Sequence, residues 1–158
     1  MADERYPSRR KSRKHAVEIG YAALIRGTDP VEILAATARE VGWRQHPWYS
    51  FCQQLVIGVS DHETELDEII AAASERWSLE RMGRTDLAIL RMAAFELLQR
   101  PETPSAVVIS EAAAIAEELS AEGSPKFVQG VLSKIAAQRV APAAEAPAPE
   151  APESEETS

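Results

Sequence analysis

The sequence has few of the residues that build catalytic or metal sites. It contains one cysteine, Cys52, so no internal disulfide can form, and we interpret Cys52 as a buried, inert thiol in a reducing compartment. The histidines His15, His46 and His62 are scattered, without a second His or a Cys at metal-ligand spacing. The seven glycines are isolated and form neither a phosphate-binding loop nor a nucleophile elbow. We therefore expect no metal, no cofactor and no enzymatic activity.

Long hydrophobic runs are also missing. No segment approaches the roughly 18 to 20 apolar residues that cross a bilayer. No apolar stretch follows the basic residues near the N-terminus, so we expect neither a secretory signal nor membrane association. These absences favour a cytoplasmic protein. A length of 158 residues predicts one domain, large enough to bury a hydrophobic core, and leaves no room for a large multidomain enzyme.

The net charge of −8 conceals a strongly basic segment. Residues 5–14, which we call the basic arm, carry six positive charges and no negative one: Arg5, Arg9, Arg10, Lys11, Arg13 and Lys14. Residues 15–140 carry 11 basic and 18 acidic side chains. Clustered positive charge neutralises phosphates and releases their counterions, so the arm predicts nucleic-acid binding. The alternative is a disordered, solubilising terminus.

The C-terminal segment has the composition of a disordered tail. Residues 141–158 consist mainly of Ala, Pro and Glu, with five acids, no base and no large apolar side chain. Such a segment cannot bury enough apolar surface to offset the conformational entropy that is lost on folding. We favour a solubilising role, with competition for the basic arm as an alternative. The predicted organisation is a flexible end (1–8), a helical domain (9–140) and a disordered tail (141–158).

Helical periodicity dominates the remainder, and no segment alternates strictly, so we predict an all-α fold. The first helix is expected over residues 9–26, ending near Gly27. Asp29-Pro30 resembles a helix cap followed by a first-turn proline, and predicts a second helix to about Val41.

Residues 48–77 predict either one long helix or two nearly collinear ones. The apolar stripe stays in helical phase throughout, through Trp48, Cys52, Leu55, Val59, Leu66, Ile70, Ala73 and Trp77. Ser60-Asp61-His62-Glu63 matches a capping box, in which Ser and Glu side chains satisfy each other's backbone donors. We favour a break there.

Residues 87–98 predict the central helix of a compact bundle of six or seven helices. Ten of these twelve residues are apolar, and a helix that is apolar all round is surrounded by others. Arg91 interrupts the run and needs an acidic partner, because an unpaired buried charge is costly.

Two further helices are expected after the central one. The helix near residues 105–120 buries a stripe that includes Val108 and Ala112, and it exposes Glu111, Glu117 and Glu118. Ser124-Pro125 supplies a cap and a first-turn proline for a last helix.

Several segments together resemble the NusB family. The motifs that carry the resemblance are Arg9-Arg10-Lys11-Ser12-Arg13 with Ala16-Val17 and Tyr21; Phe51 with Leu55-Val56-Ile57-Gly58-Val59; Asp86 to Leu98; Val107 to Ala112; and Ser124 to Leu132. The resemblance spans about residues 9–137, in the family's order and spacing. It implies two small helical subdomains that share one core, and a non-enzymatic transcription antitermination factor.

The resemblance also implies partners and site residues. NusB-like proteins bind a boxA-type element of nascent RNA together with the ribosomal protein NusE, and help RNA polymerase pass terminators, notably in ribosomal RNA operons. RNA binding carries over to Arg9, Arg10, Lys11, Arg13, Lys126 and Phe127, and the charge pattern adds Lys14. For NusE the matching residues are Tyr21 and Asp86. A homodimer of the free protein is left open.

Some residues depart from the family's pattern or keep two interpretations. Gly123 replaces an acid, and Gln129 and Ser133 replace a common Asn and Asp, which puts details of RNA contact in doubt. Phe127 is either a core ring or a base-stacking surface, and Tyr21 either a core ring or an exposed platform. The alternative function is a helical scaffold whose basic arm engages an acidic protein.

Overall fold

A computed structural model of the protein describes residues 9–75 and 77–145, with side chains up to Arg139. Within this part of the chain there are seven α-helices and no strand. The helices are α1 (Arg9–Arg26), α2 (Pro30–Val41), α3 (Tyr49–Asp61), α4 (Glu63–Ala73), α5 (Arg84–Gln99), α6 (Ser105–Leu119) and α7 (Ser124–Glu145). Short 3₁₀ turns precede α3 (Trp43–Gln45) and α5 (Leu79–Arg81). The all-α prediction is confirmed.

The first two helices begin and end where the local sequence predicts. Gly27 adopts a φ of 65° after α1, in the left-handed region that favours glycine. The Asp29 carboxylate accepts a hydrogen bond of 2.9 Å from the Val31 N–H, and Pro30 occupies the first turn. The predicted cap of α2 is therefore confirmed.

Two helices, α3 and α4, form in the region that follows Trp48, as favoured, but the predicted capping box is wrong. Ser60 lies inside α3, and His62 separates α3 from α4 without a side-chain cap bond. The His62 ring instead lies 2.9 Å from the carbonyl oxygen of Gly58, one turn back. Trp77 is also not part of the buried stripe, because α4 ends at Ala73 and the Trp77 side chain is 47% exposed.

Helix α5 is the centre of the bundle, as its all-round apolar sequence predicts. It packs against α1, α3, α4, α6 and α7. The helices α1 to α3 contact one another, and α7 contacts α4, α5 and α6, so two small subdomains share the core through α5. Cys52 lies fully buried in this core, and burial raises the pKa of its thiol to about 12.

Arg91 has the acidic partner that its position requires. Its guanidinium donates two hydrogen bonds of 2.8 Å to the Asp67 carboxylate of α4, and the Glu63 carboxylate lies 3.6 Å away. This bidentate ion pair joins α4 to the central helix.

A second, fully buried ion pair joins α1 to α5. Arg13 donates to both Glu96 oxygens, at 2.9 and 2.6 Å, and the two side chains are 1% and 0% exposed. Glu111 of α6 lies 3.9 Å from the same guanidinium and is only 2% exposed. The prediction that Glu111 faces water is therefore wrong, because the side chains of Arg10 and Arg13 reach it from the first helix and supply its partners.

The last helix extends into the predicted tail. Helix α7 continues to Glu145, five residues into the segment predicted to be disordered, where three alanines and a glutamate favour a helix although Pro142 does not. The rest of that tail and residues 1–8, including Arg5, lie outside the described residues. The Ser124 hydroxyl, predicted as a cap, is buried and donates to Asp86 instead.

Gly58 of α3 allows the central helix to approach closely, because a Cβ atom there would overlap the Phe95 ring. In an open helix, Gly→Ala stabilises by about 1 kcal/mol. We expect Gly58→Ala to lower the free energy of unfolding instead, by about 1 to 3 kcal/mol, as overpacking does. Urea denaturation followed by circular dichroism measures this change.

Gly130→Ala in α7 is the matched control, because nothing lies within 4 Å of a Cβ atom there. It should stabilise the protein. A stabilising Gly58→Ala, or no recovery when Phe95→Leu is added to it, would contradict the close approach.

The Arg13–Glu96 pair generates a second stability prediction. Glu96→Gln removes the carboxylate that binds the buried Arg13 directly and leaves only Glu111, at 3.9 Å, so it should lower the free energy of unfolding by about 3 kcal/mol. The double variant Arg13→Met/Glu96→Leu should lose less than Glu96→Gln alone, since it removes both charges of the pair and leaves Glu111 bound to Arg10. Urea denaturation of each variant tests both statements.

Glu75→Gln serves as the comparison, because Glu75 pairs with Lys134 at 3.5 Å on the surface and both side chains are more than half exposed. This change should be nearly neutral. An equally small effect of Glu96→Gln would show that the buried pair does not hold α1 to α5.

Candidate nucleic-acid interface

The described part of the basic arm, residues 9–14, forms the first turns of α1. This helix packs against α3 and α5, and its basic residues reach side chains of α6 on one flank and of the Trp48–Phe51 segment on the other. Successive side chains point around the helix at about 100° intervals, so neighbouring basic residues meet different surroundings. The five basic side chains within residues 9–14 are therefore not equivalent.

Two basic residues of the arm pair with acids of α6. Arg10 donates two hydrogen bonds of 2.8 Å to the buried Glu111 carboxylate, while its own side chain stays 54% exposed. Lys14 forms an exposed ion pair with Glu118. These hydrogen bonds to carboxylates raise the pKa of both basic groups, which keeps them positively charged. Glu111 thereby holds Arg10 in place at the surface.

Arg13 does not belong to this exposed surface, although the sequence predicts it there. Its side chain is 1% exposed, and its guanidinium is bound to Glu96 beneath the helix. Contact with a phosphate would require that buried pair to open. The structure gives the Arg13 charge a part in packing α1 on α5, and its contact with RNA stays a prediction.

The remaining basic residues of the arm lie beside aromatic rings. The Arg9 guanidinium lies 4.1 Å from the centre of the Phe51 ring, within cation–π distance. Lys11 is exposed, with its Nζ 5.8 Å from the centre of the Trp48 ring. Among the described residues no carboxylate lies within ion-pair distance of Lys11, so its charge faces solvent uncompensated.

Lys126 and Phe127 lie in the first turn of α7. Lys126 is exposed, whereas Phe127 is half-buried and packs against the core. Phe127 therefore has features of both a core ring and a base-stacking surface. It packs against the core, and it also lines two open grooves next to Trp77. Lys126 and Lys134 also line the larger groove, of about 410 Å³.

The two predicted partner-binding residues differ in their surroundings. Tyr21 is 42% exposed, which decides against a core ring. Asp86 is half-buried and accepts hydrogen bonds from the hydroxyls of Ser120 (2.6 Å) and Ser124 (3.0 Å). Asp86 thus joins the start of α5 to both ends of the α6–α7 connection.

Sequence reasoning missed three acids that position the arm. Glu96, Glu111 and Glu118 are the partners of Arg13, Arg10 and Lys14. A signal for Glu111 was present, because it follows Val108 by three residues and precedes Ile115 by four, inside the apolar stripe of α6. Glu118 carries no such signal, since exposed acids on helices are common.

The arrangement suits the binding of an anionic polymer. Exposed cations on a rigid helix, next to aromatic rings, suit phosphates and unstacked bases. Within the described residues no three metal-ligating side chains come together. None of the helices formed by these residues is both long and apolar enough to span a membrane.

Comparisons with known proteins agree with this architecture. The model of the NusB family matches residues 10–137. The transcription antitermination protein NusB of Salinispora arenicola is 38% identical over 130 residues, which are 82% of this chain and 96% of the relative. The NusB protein of Acidothermus cellulolyticus is 41% identical over 139 residues, covering 87% and 93% of the two chains.

Solved structures show the same fold. Thermotoga maritima NusB superimposes with a TM-score of 0.74 at 29% identity, covering 82% of this chain and 91% of that one. A structure of the antitermination factors NusB and NusE in complex with double-stranded RNA matches with a TM-score of 0.74 at 26% identity, over 82% and 96%. With a family match over most of its length and relatives of about 40% identity, this chain belongs to the NusB family.

Proposed function

We propose that the protein is a transcription antitermination factor that binds boxA-type nascent RNA together with the ribosomal protein NusE. In this role it supports read-through by the RNA polymerase antitermination complex, notably in ribosomal RNA operons. It acts as a cytoplasmic adaptor without chemistry of its own. The named function of its relatives and the structure of NusB and NusE with RNA support this proposal.

The observation that carries the proposal is the exposed, basic edge of α1. Arg10, Lys11 and Lys14 reach solvent there, while the buried Arg13–Glu96 pair holds the helix under them in place. Arg9 lies beside Phe51 at the start of the same edge. Phosphates can displace Glu118 from Lys14, and bases can stack on the neighbouring rings.

Lys126 and Phe127 form a second proposed point of RNA contact. Lys126 supplies an exposed charge in the first turn of α7, and the uncovered part of Phe127 offers a ring surface. For NusE we propose Tyr21, whose exposed ring suits a protein contact, and Asp86. Because Asp86 already accepts two hydroxyl bonds, its part in NusE binding includes keeping the α6–α7 connection in place.

The electrostatic part of RNA binding is testable by salt titration. The affinity for a single-stranded boxA-type RNA should fall linearly with salt on a log–log plot. Lys11→Ala should lower the affinity severalfold and reduce the slope by about 0.7, the contribution of one phosphate contact on single-stranded RNA. Fluorescence anisotropy at several salt concentrations measures both quantities.

Arg39→Ala is the control, because Arg39 is an exposed arginine at the end of α2, outside the arm. It should leave affinity and slope nearly unchanged. A flat salt response of the parent protein, or equal losses for Lys11→Ala and Arg39→Ala, would contradict an RNA-binding arm. Binding of an acidic peptide in place of RNA would favour the scaffold alternative.

NusE binding gives an independent test. Tyr21→Ala should weaken NusE binding by about 2 kcal/mol, as expected when an aromatic anchor is removed from an interface. Val41→Ala, at the end of α2 and 58% exposed, is the control for loss of an exposed apolar side chain on another helix and should bind like the parent. Isothermal titration calorimetry measures both. An unchanged affinity for Tyr21→Ala would remove that residue from the interface.

A further inference from the structure

The aromatic residues of this chain are concentrated beside the basic arm. The sequence has only three Trp, three Tyr and three Phe. Two of the tryptophans and one tyrosine lie within residues 43–49, together with His46. This segment, which covers the 3₁₀ turn and the start of α3, contacts the first helix at His15. Sequence reasoning assigned it no function beyond the apolar stripe that begins at Trp48.

The rings of this segment form a stacked cluster. Trp48 is 5% exposed and stacks with two imidazoles. The ring centres of His15 and His46 lie 4.5 and 5.4 Å from that of Trp48, with interplanar angles of 27° and 17°. Trp43 lies edge-on to Trp48 at 5.2 Å and contacts His15 at 4.5 Å. His46 is exposed and Trp43 half-buried, so the buried rings support an aromatic surface that reaches solvent.

The cluster has two cations beside it and one acid, Glu18, whose carboxylate lies 2.8 Å from Nδ1 of His15. Lys11 lies 5.8 Å from the Trp48 ring centre, and the exposed Arg44 belongs to the same 3₁₀ turn as Trp43. An open groove of about 210 Å³ continues along the Trp48 side to Arg9 and Phe51. The cluster is thus continuous with the basic edge of α1.

We propose that Trp43 and His46, supported by Trp48, form a base-stacking platform that binds one unpaired nucleotide of the RNA while Lys11 contacts the adjoining phosphate. Every base has a π-face, and stacking on an aromatic side chain together with a neighbouring cation is a general way of holding single-stranded nucleic acid. The inference rests on the proposed RNA-binding function and adds to it a contact that charge alone does not supply.

The test measures the affinity for a fluorescently labelled single-stranded boxA-type RNA by anisotropy. His46→Ala should weaken binding about fivefold or more, the lower end of what removing one stacking ring costs. His46→Phe should restore most of the affinity, because it restores a ring without the imidazole nitrogens. Gln45→Ala, at an exposed neighbour in the same turn, should bind like the parent. Circular dichroism and thermal melting establish that each variant is folded.

An abasic scan separates stacking from charge. RNA nucleotides are replaced one at a time by abasic sites, and each RNA is titrated with the parent and with His46→Ala. At one position the loss caused by His46→Ala should disappear, because the base that it contacts is already missing. A loss that stays the same at every position would overturn stacking.

The outcomes distinguish this platform from the proposed function. If Lys11→Ala weakens binding and His46→Ala stays within twofold of the parent, RNA binding stands and the platform is wrong. If the parent binds no RNA, both are wrong. Weakening by His46→Ala that His46→Phe fails to restore would also overturn stacking.

Discussion

The buried pair of Arg13 and Glu96 is the interaction on which the rest of the structure depends. It holds the first helix against the central one with two short hydrogen bonds, out of contact with water. Burying two charges is tolerated only with close geometry, and removing one partner is strongly destabilising. Because Glu111 lies against the same arginine and also binds Arg10, the buried pair sets the position of the exposed basic residues as well.

A basic arm with this support differs from a flexible charged terminus. Its described residues are helical from Arg9, and Arg10 and Lys14 are held by acids of α6. An RNA that binds here meets charges already in place, so little side-chain entropy is lost for Arg10. The same acids compete with the phosphates. Under the proposed function, the affinity for RNA reflects a balance between the protein's own carboxylates and the RNA backbone.

The fold is largely readable from the sequence because its signals are local. Glycine and proline positions mark the limits of α1 and α2, and ten apolar residues in twelve mark the central helix. The site is less readable. Six basic residues in ten predict an arm, but nothing local separates Arg13, which is buried, from Lys11, which is exposed. Their difference arises from which faces of α1 are covered by α5 and α6, and those helices lie about 80 to 100 residues away in the chain.

The sequence by itself determined an all-helical protein with a basic N-terminal helix, an acidic body, and the motifs of the NusB family. Helix periodicity, caps and net charge depend on neighbouring residues, so they can be read along the chain. Only the tertiary structure decided which charges are buried, that Glu111 turns inward, that Trp77 reaches solvent, and that the rings of His15, Trp48 and His46 stack beside Lys11. The reason is physical: burial and pairing depend on helices that are distant in sequence and meet only in the folded bundle.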